Sequence, residues 1–273
     1  MKKLIKLKIL LVGCGKMGSA LLSGWINQNM EGSNICVIEP QTNNLSAFLK
    51  HGITVFNTLR DLPQHYEPDF VVFAVKPQMM SEIVPAYKYV SENSVFISIA
   101  AGKSIAYFES HLGEKNAIIR AMPNTPAAIG RGITVACGNE SVKKQTQEIC
   151  LELLAAVGEV LWLDDEKLID AVTAISGSGP AYVFLLAETM ARAGMNSGLN
   201  QKMATELAIK TVAGSGELLK RSSEEISILR ENVTSPGGTT EAALSVLMGK
   251  NGMQELISDA VIKAIVRSKA LAN

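Results

Sequence analysis

Gly13-Cys14-Gly15-Lys16-Met17-Gly18 and Ser235-Pro236-Gly237-Gly238-Thr239-Thr240 are the two stretches of this sequence whose residue types and spacing best suit chemistry. The first is a GxGxxG run between a β-rich segment and a helical one. Its first glycine permits a tight turn, its second lets the backbone approach a pyrophosphate, and its third lets helix and strand pack closely. The helix N-terminus adds N–H donors and positive potential. Glu39 ends the next β-rich segment about twenty residues on, which completes the pattern of a dinucleotide site. A carboxylate there could bond both ribose hydroxyls of NAD and repel the 2′-phosphate of NADP. It could equally be a solvated strand end turned away by Pro40, so the choice between NADPH and NADH stays open. In the second stretch, two glycines free backbone N–H groups to point inward, and Ser235, Thr239 and Thr240 add hydroxyl donors at a helix start. This is the make-up of a carboxylate receptor without a formal charge. An ordinary helix cap is the plainer alternative, but a cap needs one hydroxyl, not three.

The elements that must position these loops are legible in outline. Strand candidates run over 8–12, 34–38, 54–56, 70–75, 95–99 and 117–120, with helical spacing at 17–28 and 78–90. That alternation argues for βαβ units and a doubly wound, mostly parallel, Rossmann-like sheet. Phe70-Val71-Val72-Phe73-Ala74-Val75 is apolar throughout, as expected of a strand covered on both faces. Stretches 133–137 and 159–163 could extend the sheet around a helix over 142–155. From Asp164 onward only helical patterns appear, such as the stripe Met253, Leu256, Ile257, Ala260, Val261, Ala264 and Ile265. The expected organisation is a dinucleotide-binding domain over 1–163 and an all-α domain over 164–273 for substrate binding and dimerisation.

Bulk properties narrow the function. Twenty-six basic and 26 acidic residues give a formal net charge of zero, which removes the electrostatic footprint of a nucleic-acid binder. Cys14, Cys36, Cys137 and Cys150 are widely spaced, which suggests neither a disulfide framework nor a metal site and fits a reducing compartment. Met1-Lys2-Lys3 and Leu11-Val12-Gly13-Cys14 imitate a lipoprotein signal, but Lys6 and Lys8 break the apolar region such a signal needs. The expectation is a soluble, cytoplasmic protein with no membrane partner. His51, His65 and His111 lie away from every motif. An alcohol dehydrogenation needs a positioned base. A protonated imine is already an electrophile, and it accepts hydride at carbon with no further proton transfer in that step. Loops of glycine, serine, threonine and asparagine therefore suit imine reduction better than alcohol oxidation.

Four further segments make the pattern specific: Ala74-Val75-Lys76-Pro77-Gln78, Met122-Pro123-Asn124-Thr125-Pro126, Ser176-Gly177-Ser178-Gly179-Pro180-Ala181-Tyr182 and Val233-Thr234 leading into the Ser235–Thr240 loop. With the glycine loop, and in this order, they resemble the pyrroline-5-carboxylate reductase family from about residue 8 to the C-terminus. The resemblance implies reduction of 1-pyrroline-5-carboxylate to L-proline by NADPH or NADH. It implies that Ala74, Val75, Lys76 and Pro77 line the cofactor and that Ile99, Ala100 and Ala101, followed by Gly102, leave room for the nicotinamide. It places Asn57 near the adenosine ribose, although a helix N-cap is as good a reading. The Met122–Pro126 loop with Asn124 would lie by the nicotinamide and the imine, or serve as a stiff domain connection. The Thr173 hydroxyl would lie near the imine nitrogen. Glu166, Asn232, Thr239 and Thr240 match substrate-contacting positions, although Glu166 would pass for a solvated helix start. The helical half is rich in apolar faces and poor in charge, which predicts a homodimer through it, and the resemblance implies that dimers can assemble further into rings. One departure is Ile226, where the family pattern has proline. Two other readings stand: a β-hydroxyacid dehydrogenase using Lys76, and a non-catalytic dinucleotide sensor or scaffold.

Overall fold

The computed structural model describes residues 6–42, 45–64, 66–90 and 93–272. His65 and the Met1-Lys2-Lys3 opening lie outside the described residues. Eight strands, β1 (Ile9–Val12), β2 (Ile35–Ile38), β3 (Thr54–Phe56), β4 (Phe70–Phe73), β5 (Val95–Ser98), β6 (Ile118–Met122), β7 (Gly132–Gly138) and β8 (Gly158–Trp162), form one sheet. Their order is β3-β2-β1-β4-β5-β6-β7-β8. Each neighbouring pair is parallel except β6–β7. Val12 pairs with Ile38 on one side and Phe73 on the other, so β1 and β4 flank the point where strand order reverses. In doubly wound sheets the crevice beyond the carboxyl ends at that point is where ligands bind.

All residues of β1, β2 and β4 are buried, as their unbroken apolar sequences require. Alternate residues feed two cores. Ile9 and Leu11 join Leu21, Leu22 and Trp25 of α1 (Lys16–Asn27) on one face. Leu10 and Val12 join Phe73, Tyr87, Phe96 and Phe108 on the other. Trp25 is fully buried, and its indole N–H donates to Leu153 O at 2.9 Å. That bond satisfies the ring's one polar group, so its apolar surface is buried without an orphaned donor.

Two elements differ from the sequence pattern. β4 ends at Phe73, two residues early, and Pro77 opens a 3₁₀ turn shortly beyond it. The expected helix over 78–90 is only one α-turn, α3 (Met80–Ile83), followed by a 3₁₀ stretch over Val84–Tyr89. Pro85 sits there, with no N–H to give and a ring that clashes with a continuing helix. Between α2 (Ser46–Leu49) and α6 (Ile169–Val172) lie the short α4 (Ile105–Leu112) and α5 (Lys144–Leu154). A π-helical turn over Thr173–Gly177 then precedes α7 (Gly179–Asn196), which has Pro180 in its first turn.

The remaining helices are α8 (Gln201–Arg221), α9 (Ile226–Asn232), α10 (Thr239–Leu247) and α11 (Met253–Ala272), and among the described residues no strand follows Trp162. By compactness the chain divides into one unit of residues 1–177 together with 265–273, and another of 178–264. The end of the sheet near 163 is thus not where the first compact unit stops. Ile169 and Ala174 are fully buried with the sheet, and Ser268 Oγ donates to Asp170 Oδ1 at 2.6 Å. Residues 166–196 are long and apolar enough, by length and composition alone, to cross a membrane, a feature the interrupting glycines and hydroxyls hide in the sequence. In the second unit, Ala204 and Ala208 of α8 are buried, whereas Phe184, Leu207 and Ile209 are more than half exposed.

Candidate active site

The three glycines of the first loop carry different loads. Gly13 turns with φ +90°, and a methyl added there would sit 2.6 Å from Val75 Cγ1 and 3.0 Å from the Ala74 carbonyl. Its N–H donates to Ile38 O at 2.8 Å, which ties the loop to the end of β2. A methyl at Gly18 would lie 2.5 Å from Gly13 O, so α1 can pack this close to the strand only with glycine there. Gly15 is the exception. It is exposed, has φ −70°, and no atom lies within 4 Å of where its Cβ would be. The protein's own packing makes no demand for glycine at 15. The bare backbone instead leaves a cradle at the N-terminus of α1 that a Cβ would fill. A pyrophosphate fits that cradle, because α1 leads from it with unpaired N–H groups and positive potential. Lys16, exposed, and Met17 open the helix; Cys14 is buried, with its carbonyl accepting from Ser19 Oγ at 3.0 Å.

Glu39 does not turn away. Its Oε2 accepts the Cys14 N–H at 2.8 Å, and its Oε1 accepts the Gln41 N–H at 3.0 Å. Beyond β4, Ala74 N–H donates to Val12 O, so 74–77 runs beside the glycine loop; Lys76 is exposed. Ile99 N–H donates to Phe73 O at 3.1 Å, and Ala100 N–H bonds Ser98 Oγ at 3.2 Å. Ile99, Ala100 and Ala101 therefore line the same carboxyl edge, one strand further along. Gly102 turns with φ +77°, and a methyl there would meet the Leu271 backbone at 3.1 Å. Asn57 is exposed at the end of β3 and is not a cap. Thr58 takes that role, in a capping box with Asp61.

At the end of β6 the Met122–Pro126 loop is locked to the π-helical turn. Asn124, 9% exposed, donates from Nδ2 to Ser176 O at 3.1 Å and accepts the Ile133 N–H on Oδ1 at 2.9 Å. A methyl on Gly177 would sit 2.6 Å from Met122 Cε. The Thr173 hydroxyl donates to Ile169 O at 2.8 Å, and Ser176 Oγ to Val172 O at 3.0 Å. With its proton committed, Thr173 Oγ1 presents lone pairs and acts as an acceptor. Glu166 is not a solvated helix start. Its Oε1 accepts from Arg120 Nη1 and from the Ile105 N–H at the head of α4, both at 2.8 Å. Arg120, 7% exposed, was not among the expected site residues; the sequence signal was a lone cation inside the strand Ile118-Ile119-Arg120-Ala121-Met122.

The carboxylate-receptor candidates sit on the second compact unit, and the glycine loop and Thr173 on the first. Within the second unit, Gly237 turns with φ +71° and Gly238 is the N-cap of α10, with no side-chain cap bond. Thr239 and Thr240 occupy the first two helical positions, so the hydroxyls are not acting as caps. Helix geometry leaves the N–H groups of those two residues without partners inside the helix. A methyl on Gly238 would collide with Ser235, whose carbonyl accepts the Gly238 N–H at 3.0 Å. The loop is not free of charge, because Glu241 Oε2 accepts the Gly237 N–H at 2.7 Å. An acid in the first turn of a helix is favoured by the helix dipole. Asn232 Nδ2 donates to Glu224 Oε2 at 3.2 Å, and Ile226 is the first residue of α9, a position that proline would also tolerate.

Among the described residues no group of three or more histidine, cysteine or acidic side chains could hold a metal ion. Residues 166–271 match the family model for the pyrroline-5-carboxylate reductase dimerisation domain, and residues 8–102 match that for NADP oxidoreductases, coenzyme F420-dependent. The pyrroline-5-carboxylate reductase of Pseudomonas aeruginosa is 37% identical over 270 residues, 97% of each chain. The solved pyrroline-5-carboxylate reductase of Coxiella burnetii superposes with a TM-score of 0.91 at 34% identity, over 98% of this chain and 99% of that one. The Plasmodium falciparum pyrroline carboxylate reductase, solved with NADP bound, gives 0.85 at 32% identity, over 99% of this chain and 100% of that one. Similarity of this extent, spanning glycine loop, sheet and helical half alike, makes the chain a member of the pyrroline-5-carboxylate reductase family.

Proposed function

We propose that this chain reduces 1-pyrroline-5-carboxylate to L-proline, with NADPH or NADH as donor. The observation that carries the reading is the open cradle over Gly15, at the head of α1 and the switch point of the sheet. The bound dihydronicotinamide supplies a hydride to the imine carbon. The chain's own residues do the rest by holding and orienting. Gly13, Gly15 and Gly18 shape the phosphate cradle, and Ala74–Pro77, Ile99–Ala101 and Asn57 line the carboxyl edge around it. Thr173 Oγ1, an acceptor because its proton goes to Ile169 O, holds the N–H of the protonated ring nitrogen. Within the helical unit, the Ser235–Thr240 loop and Asn232 offer the donors that suit a carboxylate. Glu166 contributes through the Arg120 pair that anchors α4. Orientation and exclusion of water are what this chemistry asks of a protein.

The exposed apolar side chains of the helical half, including Phe184, Leu207 and Ile209, support a homodimer through that half, with rings of dimers as a further step. On this reading the exposed apolar side chains of α7 are subunit interface and not part of a membrane span, and the protein works in the cytoplasm. The test is a reductase assay with pyrroline-5-carboxylate, run with NADH and NADPH in parallel. Coenzyme oxidation with stoichiometric proline is expected. No oxidation of either coenzyme, both demonstrably bound, refutes the proposal. A 3-hydroxyacid with NAD(P)+ should give no turnover; turnover lost in Lys76→Ala would favour the hydroxyacid dehydrogenase. Sedimentation of the purified chain checks the dimer.

A further inference from the structure

We infer that Glu39 makes this chain select NADH over NADPH, by fixing a carboxylate where the adenosine ribose of the coenzyme must lie. The inference rests on the reading of Gly13–Gly18 as the dinucleotide cradle. Glu39 directly follows β2, the strand beside β1, and its own N–H is held by Phe56 O at 3.0 Å. Its side chain folds back onto the cradle. One oxygen takes the Cys14 N–H from within the glycine loop, and the other takes the Gln41 N–H from the turn after β2. The carboxylate therefore straddles the two backbone segments that bound the ribose position in a doubly wound fold.

The consequence follows from lone pairs and charge. An ionised carboxylate has about four acceptor positions. Two are filled by backbone donors, one on each oxygen, which leaves one on each for the two vicinal ribose hydroxyls of NADH. A 2′-phosphate has no proton to give at neutral pH, and it brings a charge of roughly −1.5 to −2 against a group of the same sign. Relief by rotating Glu39 away would forfeit two charge-assisted bonds and leave the Cys14 N–H unpaired inside the loop. Relief by a neighbouring cation has no ready source in the following turn, since no lysine or arginine occurs between Glu39 and Lys50.

Glu39 also braces the loop, so removing it will weaken both coenzymes. The diagnostic quantity is the ratio. Calorimetric titration of the purified chain with NAD+ and with NADP+ should show NAD+ bound about tenfold or more tightly. The ratio should shrink as salt is raised, because the discrimination is electrostatic. Values of kcat/KM for NADH and NADPH should follow the same order. Glu39→Gln, which keeps the shape and loses the charge, should bring the ratio to about one or reverse it. Glu39→Asp, which keeps the charge, should retain the preference in direction; this variant and the salt series decide the matter if Glu39→Gln does not fold. NADP+ bound as tightly as NAD+ by the native chain, or a ratio unmoved in Glu39→Gln, overturns the inference and leaves the cradle standing. Failure of both coenzymes to bind overturns the cradle and the inference together.

Discussion

Gly13 and Gly15 stand two residues apart in one loop, and replacing each with alanine should produce opposite phenotypes. At Gly15 the backbone angles suit any residue, and no atom lies within 4 Å of the new methyl. Two small effects then oppose each other. Lowered freedom of the unfolded chain stabilises by about 0.4–1 kcal/mol. Loss of a favoured N-cap residue costs about the same. Net stability should stay within about 0.5 kcal/mol, while the methyl occupies space the pyrophosphate needs. Coenzyme dissociation constants should rise at least about tenfold, or ~1.4 kcal/mol. At Gly13 the left-handed backbone alone costs an alanine roughly 1–2 kcal/mol. The overlap with Val75 Cγ1, at 2.6 Å, lies far inside normal carbon contact and adds about 1–3 kcal/mol. The sum, about 2–5 kcal/mol, is a large share of the ~5–15 kcal/mol that holds a typical domain together. Denaturant midpoints and coenzyme titrations on the two variants separate the cases. A Gly15→Ala protein that unfolds as early as Gly13→Ala, or binds coenzyme as well as the native chain, would refute the division of labour among these glycines.

Asn124→Ala strips the buried partner from the Ile133 N–H and from Ser176 O, at a cost of about 2 kcal/mol or more. Turnover should fall further than coenzyme affinity, and equal losses in kcat and coenzyme Kd would argue against a positioning role. Thr240→Val should raise the KM for the imino acid by about tenfold or more through loss of a donor to a charged group, with coenzyme affinity spared; loss of both affinities together would count against the carboxylate grip. Burial pushes all four cysteine thiols above the ordinary value of 9.0, that of Cys137 to about 12, with Glu166 adding to the effect. A neutral acid whose folded pKa is raised supports the fold fully below its unfolded pKa and loses that support as pH climbs. Denaturation midpoints should therefore be flat to about pH 8.5 and fall from pH 9 upward. A flat profile to pH 10.5 would refute the assignment.

Short-range patterns were legible because burial alone dictates them. The unbroken apolar runs of β1 and β4 announce strands covered on both faces, and the glycine spacing announces the turn between β1 and α1. Even the broken helix over 78–90 was open to reading, since Pro85 stands in its middle. Bonds that depend on distant segments were not. Glu166 lies 46 residues from Arg120, and the antiparallel turn of β6 against β7 that helps bring the cation into place has no local signature. Asn124 looks like one polar residue in a stiff loop until the π-helical turn supplies Ser176 O. The side chain of Glu39 was ambiguous for a related reason: the donor that fixes it sits 25 residues upstream, on another strand's loop. The Glu241 bond to Gly237 spans only four residues, yet the eye is drawn to the hydroxyls and not to the acid behind them.

Because the sheet unit draws its last residues from 265 onward, the helical unit of 178–264 is in effect inserted between two pieces of a single body. Synthesis from the N-terminus therefore delivers all eight strands long before Ser268 and Leu271 emerge to meet Asp170 and Gly102. Through that interval the sheet unit lacks one of the segments that pack against it. The turn at Gly102, beside Ile99–Ala101, meets the Leu271 backbone only after the whole helical unit has been made.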